Sequence, residues 1–549
     1  MSSETEQRIE RVISGNRKIK TLCLFSQIDE NLLLHFLESL KSNQTLESIK
    51  CNNIIEDNTL RYSDNMFEKL CNALKINKHL LSLSFSTLTI NMFKLISSLS
   101  HNITLRRLEL CDCGLNQTKY KILFNFLRTN ESITDLIIDK NEEFGNSDDN
   151  FCQMLSMNKT LKVISLQQIN IKLDNLETLS RGFESNKTLE SVNLGLTLHH
   201  IGAVRSIGDV YGINRGSHEN LYRSLLSNPN LKKLDLSQNF LSTPNMSCLF
   251  TILFQNKTLE SLDISRNFII ADSIHDLCTM LETNSTLKEL KMNQCNLFPS
   301  SISSLMESLK RNNGIETLEM GYLDIVLPRS NTFLYQHFDF LYENRTLKNF
   351  YLAGNDFYRG DILGFLQFNN TLTDLTIKYT STKSDELTQL SERISWNKSL
   401  KKLDIKFSNG VDASVYIKQM IKFNKSLESI TIENKNCNDN NIAIGLVENH
   451  QIINCYINQS LPRKLNHLNT MTNINRIILF LDIFDISLLT LDRFEEECNM
   501  EKLMELVRVL LMCFNRIGFE NQSNRLPCEI QQHIMKYWLI NFKRTLVFE

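Results

Sequence analysis

The stretch Leu231-Lys232-Lys233-Leu234-Asp235-Leu236-Ser237-Gln238-Asn239 is the clearest copy of a nine-residue unit that recurs along most of the chain. Its first, fourth and sixth positions, Leu231, Leu234 and Leu236, are apolar. They combine two-residue alternation with an extra leucine ahead, the pattern of a short half-buried strand reached from a turn. Asn239 closes the unit at the ninth position.

Working outward, each copy is preceded by an Asn three residues ahead of its first apolar position. Sixteen copies align on this residue, at Asn16, Asn43, Asn77, Asn102, Asn130, Asn158, Asn186, Asn228, Asn256, Asn284, Asn312, Asn344, Asn369, Asn397, Asn424 and Asn449. Nine of the fifteen spacings are 27 or 28 residues, which leaves room for a full helix on the return leg. The sequence between strands agrees: Asn31 to Leu40 and Ser300 to Leu309 carry apolar residues at three- and four-residue spacing. The anchoring Asn falls where each helix must stop, as in Leu281-Glu-Thr-Asn284-Ser-Thr-Leu287. Asn tolerates a left-handed C-cap, so a left-handed Asn with a structural role is expected there.

The repeat resembles that of the ribonuclease-inhibitor-like class of leucine-rich repeat proteins, over about Arg11 to Ser460. The resemblance implies an α/β solenoid: a curved horseshoe with parallel strands on a concave face and helices on a convex face. A mostly helical C-terminal segment follows. The expected organisation is an N-terminal capping segment over 1–15, a solenoid over 16–460 and a C-terminal cap over 461–549. An insertion lies near 196–219, where the Asn186 to Asn228 spacing is 42 residues. It is either a functional loop or a glycine-rich surface excursion. The sequence departs from the class pattern at the ninth position, which only Cys113, Asn141, Asn239, Asn267, Cys295 and Asn355 fill with Asn or Cys. Such residues bond to the carbonyls of the adjoining turn, so less regular loops are expected elsewhere.

Composition narrows the function classes. Lys and Arg (60) nearly cancel Asp and Glu (62), for a net charge of −2, so nothing in the total charge points to nucleic acid. The opening Met1 to Glu10 is polar and acidic, so no secretory leader is expected, and the most apolar run, Ile477 to Phe484, is too short to cross a membrane. A cytoplasmic or nuclear location is expected. The fourteen Cys include no C-x-x-C pair, and without export they read as buried side chains. His199, His200 and His218 lack ligand spacing for a metal. Phosphate-loop, metalloprotease and nucleophile-elbow motifs are absent. No catalytic residue, metal or cofactor is expected.

With positions four and six buried, positions three, five, seven and eight project onto the sheet face or its rim. In the C-terminal repeats these positions carry Tyr322, Tyr351, Tyr379 and Phe407, with Lys378, Lys402 and Lys406. Aromatic residues beside cations form the candidate partner-binding patch. The alternative is that a ring at position eight folds down over its neighbour's core.

The repeat rhythm ends after Ser460. Near the C-terminus Leu526, Ile530, Ile534 and Trp538 repeat every four residues behind Pro527 and Glu529, giving one apolar stripe on a helix. This stretch, 526–539, resembles the opening helix of an F-box, which implies docking of a Skp1-type adaptor. The match spans about fourteen residues, and a capping helix is the default reading of the same stretch. The expected function is therefore a monomeric, non-enzymatic protein-interaction scaffold that binds a protein on its concave face, with a ubiquitin-ligase adaptor role as its extension. It should bind neither nucleic acid nor membrane. The rival reading is a regulator of a small GTPase, with Arg107 or Arg266 as an arginine finger.

Overall fold

A computed structural model describes residues 2–457 except 16–18, 26–27, 53–63, 144–148, 170, 199–214, 270, 296, 298, 322–337, 358–359, 380–382, 408–410, 435–448 and 450–453. Within each of two units strands and helices follow one another, and successive strands pair in parallel, so the fold is a leucine-rich repeat solenoid. Helical return legs are what parallel pairing of successive strands requires. The chain divides into two compact units, Met1–Asn355 and Asp356–Glu549.

The first unit opens with a helix, Ser2–Ile13, that buries Ile9 and Val12. Its strands are β1 (Thr21–Phe25), β2 (Ser48–Asn52), β3 (Ser82–Ser86), β4 (Arg107–Cys111), β5 (Asp135–Ile137), β6 (Val163–Ser165), β7 (Ser191–Asn193), β8 (Lys233–Asp235), β9 (Ser261–Asp263), β10 (Glu289–Lys291), β11 (Thr317–Glu319) and β12 (Asn349–Phe357). In the second unit β13 (Asp374–Tyr379), β14 (Lys402–Phe407), β15 (Ser429–Glu433) and β16 (Asn454–Ile457) pair in the same way. The unit of the opening stretch behaves as its leucines require: Leu231, Leu234 and Leu236 are all buried, each worth about 1.5–3 kcal/mol of apolar transfer.

The anchoring Asn residues differ from expectation. Those at Asn158, Asn186, Asn256, Asn344, Asn397 and Asn424 have φ between −85° and −63° and ψ between 128° and 136°, which is extended and not left-handed. The reason lies in the neighbouring repeat. The side-chain oxygen of Asn102 accepts from the backbone N–H of Thr104 and Leu105, at 3.0 and 2.9 Å, steering the chain straight into the strand. Its amide donates backwards to the carbonyls of Leu74 (2.7 Å) and Asn77 (3.1 Å). Helix-terminal carbonyls, which no partner within the helix can satisfy, are thus satisfied by the following repeat. The link to the preceding Asn carbonyl recurs from Asn77 to Asn43, Asn158 to Asn130, Asn284 to Asn256, Asn312 to Asn284 and Asn344 to Asn312. In the second unit it runs from Asn397 to Asn369, Asn424 to Asn397 and Asn449 to Asn424.

The ninth-position residues form a second ladder. Asn239 donates to the carbonyls of Leu194 and Leu236 and accepts from the N–H of Thr197 and Leu198. Asn141 and Asn267 do the equivalent, while the thiols of Cys113 and Cys295 donate to Phe85 and Ile264 carbonyls. Burial pushes both thiols up to about 12. The cysteines from Cys23 to Cys295 are free thiols, and among the described residues no helix is long and apolar enough to cross a membrane.

Candidate functional site

The open face of the strands in the first unit is built by a local device. The side-chain oxygens of Asn193, Asp235 and Asp263, at position five, accept from the N–H of Gly195 (2.8 Å), Ser237 (2.8 Å) and Ser265 (2.9 Å) at position seven. Position eight then turns left-handed: φ is +58° at Lys140, +59° at Gln168, +60° at Gln238, +58° at Arg266 and +56° at Gln294. Its N–H donates to the position-seven carbonyl of the next repeat, as from Gln238 to Ser265 and from Arg266 to Asn293. The strands β5 to β11 consequently stop after three residues, and position eight swings outward to the rim.

The side chains of positions three and five form laterally paired columns. Lys291 stands 3.3 Å from Glu289 and 3.0 Å from Glu319. Ser261 donates to Glu289 at 2.6 Å, and Asn293 to Glu319 at 2.9 Å. Arg107 is held by Glu109 at 2.5 Å and Asp135 at 3.6 Å. Between these clusters the position-seven residues Gly195, Ser237 and Ser265 are small, and Lys233 is exposed. Burial against neighbouring repeats raises the Asp139 and Asp263 carboxyls above the usual carboxylate range. Asp139 accepts from the Ser165 hydroxyl (2.6 Å) and the Gln167 N–H (2.8 Å). Among the described residues no three His, Cys, Asp or Glu converge as metal ligands.

Two rings of the aromatic patch expected from sequence, Tyr379 and Phe407, do not project from the sheet. Tyr379 and Phe407 are 0% and 3% exposed, with ring centroids 6.5 Å apart in the core. The reason is strand length: β13 and β14 run six residues, so alternation continues and position eight falls on the same side as the buried positions four and six. Tyr351, at position five of β12, is half-buried on the strand face of the first unit. Lys402 and Lys406 are exposed in the second unit, Lys406 ion-paired with Glu433, and Lys378 is half-buried beside Lys406 in register. Tyr322 lies outside the described residues, as do His199, His200 and the F-box-like Leu526, Pro527, Ile530, Ile534 and Trp538. The helix Arg215–Leu226 starts within the 196–219 insertion and buries His218.

No protein-family model matches the chain, and no curated protein matches it. Solved structures do. The chain is similar to the yeast Rad7 and Elc1 complex at 15% identity and a TM-score of 0.40, covering 60% of this chain and 75% of that one. It is similar to the TLR13–ssRNA13 complex at 12% identity and a TM-score of 0.41, over 78% of this chain and 58% of that one. The leucine-rich repeat-containing protein LegL7 from Legionella pneumophila matches at 15% identity and a TM-score of 0.39, over 58% and 97% of the two chains.

Sequence reading missed exposed aromatic residues on a different edge. Phe368, Trp396 and Phe423 are 64%, 72% and 52% exposed, and each immediately precedes an anchoring Asn. Reading the position before the Asn in every repeat would have found them.

Proposed function

We propose that the chain is a non-enzymatic scaffold that binds a protein partner on the strand face of its first unit. The observation that carries this reading is the column of half-exposed ionic groups on adjacent strands, Glu289, Lys291 and Glu319, standing beside the small residues Ser237 and Ser265 and the exposed Lys233. Charges held by one another across strands keep fixed positions, and fixed mixed charge gives an interface specificity and register. Tyr351, two strands from Lys291, supplies the kind of aromatic anchor that dominates interface energetics. The GTPase-regulator reading gains nothing from Arg107, whose guanidinium is occupied by two carboxylates.

The adaptor role through 526–539 and the second-unit cations Lys378, Lys402 and Lys406 extend this proposal. The test is affinity purification from cells with the intact chain, a chain ending at Ser460, and a Lys233→Glu/Tyr351→Ala double variant. A protein lost only with the double variant is the strand-face partner, and a Skp1-type protein lost only with the truncation is the adaptor. If the double variant retains every bound protein, the strand face is not the binding surface.

A further inference from the structure

The helix ends of the second unit carry a surface that the strand face does not. The Asn ladder fixes three consecutive repeats in register: Asn397 donates to the Asn369 carbonyl at 3.3 Å and Asn424 to that of Asn397 at 3.1 Å. The residues immediately before these Asn, Phe368, Trp396 and Phe423, therefore stand in line along one edge, all more than half exposed. In the first unit the same position holds Gly15, Ser42, Ile76, His101, Thr129, Met157, Ser185, Ser227, Gln255, Thr283, Arg311 and Glu343. An aromatic at three successive copies belongs to the second unit alone among the described residues.

The cations lie on the same edge. Lys398 and Lys425 follow Asn397 and Asn424 and are exposed, and Arg393 and Lys422 occupy the last helical turns. The Lys422 ammonium sits 5.4 Å from the centre of the Phe423 ring. Of the acidic groups nearby, Glu428 is ion-paired with Lys401 at 2.7 Å and Glu392 is exposed. The edge is positive, with rings interleaved.

We infer that this edge of Phe368, Trp396 and Phe423 docks an acidic amphipathic helix of a partner protein. Charge complementarity selects an acidic occupant. Spacing selects a helix: packed neighbouring helices lie about 8–10 Å apart, and apolar residues seven apart on one helix face repeat every ~10 Å. Consecutive stacked bases lie about 3.4 Å apart, so a stacked single strand does not match rings one repeat apart.

The test uses the full-length chain carrying Trp538→Phe, which leaves Trp396 as its sole tryptophan. The probe is a synthetic helical peptide of about three heptads, with Leu at every seventh position and Glu on its flanks. Expected are a blue shift of Trp396 emission, weaker binding as salt rises, and a loss of affinity of about tenfold or more for Phe423→Ala or Lys398→Glu/Lys425→Glu. The same peptide with Lys for Glu should not bind. The inference is overturned if the acidic peptide leaves the emission unchanged at millimolar concentration, or if the Lys peptide or an oligouridine binds as tightly. It is equally overturned if sedimentation shows self-association that Trp396→Ala abolishes, for then a second copy is the occupant.

Discussion

The side-chain amide of Asn228 donates to the backbone carbonyl of Asn186 at 3.0 Å, although 42 residues separate them. The ladder therefore steps over the inserted material without losing its register, and β7 pairs with β8 from Ser191 against Lys233 to Asn193 against Asp235. Removing eight residues from within 199–214, half of that stretch, should leave the fold in place. Loop closure changes by only about 0.6 kcal/mol per halving of length, so the urea midpoint should move by less than about 1 kcal/mol equivalent. A larger loss would mean that the segment contributes packing.

Asn284 makes four ladder bonds, accepting from Thr286 and Leu287 N–H and donating to the Leu253 and Asn256 carbonyls. Asn284→Ala leaves those buried groups without their partner, at a cost of about 2–4 kcal/mol. Hydrogen exchange should show the loss concentrated in the flanking repeats, since each repeat couples mainly to its neighbours.

At Gly314, where most copies carry Thr or Ser, an added Cβ would lie 2.9 Å from the Ser285 Cα and 3.0 Å from the Asn284 and Leu287 carbonyl oxygens. Backbone atoms cannot yield cheaply. Gly314→Ala should destabilise by about 1–3 kcal/mol in thermal or urea unfolding.

Burial holds the Asp263 carboxyl above its ordinary range. A carboxyl whose native value exceeds its unfolded one binds its proton more tightly when folded, so stability falls as pH rises through the native value. Asp263→Asn keeps an acceptor for the Ser265 N–H and removes the charge. It should be more stable than the parent at neutral pH, with the two converging as pH falls below the ordinary carboxylate value. Urea midpoints across that range check the sign.

Much of the fold was legible in local spacing. Leu231, Leu234 and Leu236 announce a strand whose burial follows from alternation, and the anchoring Asn marks each return from helix to strand. At the ninth position Asn141, Asn239, Asn267, Cys113 and Cys295 also do what their chemistry suggested, bonding to the carbonyls of the adjoining turn. These are short-range properties, set by residues a few positions apart.

Only the tertiary structure decided what depends on the next repeat. The backbone of Asn158 or Asn424 is extended because its amide serves the helix one repeat back, a partner about thirty residues away. Tyr379 and Phe407 share position eight with Gln238 and Arg266. The former pair is buried because its strands continue, while the latter turn outward where position five caps position seven and the strand stops. Sequence spacing determined which residues align; stacking against neighbours determined which of them water can reach.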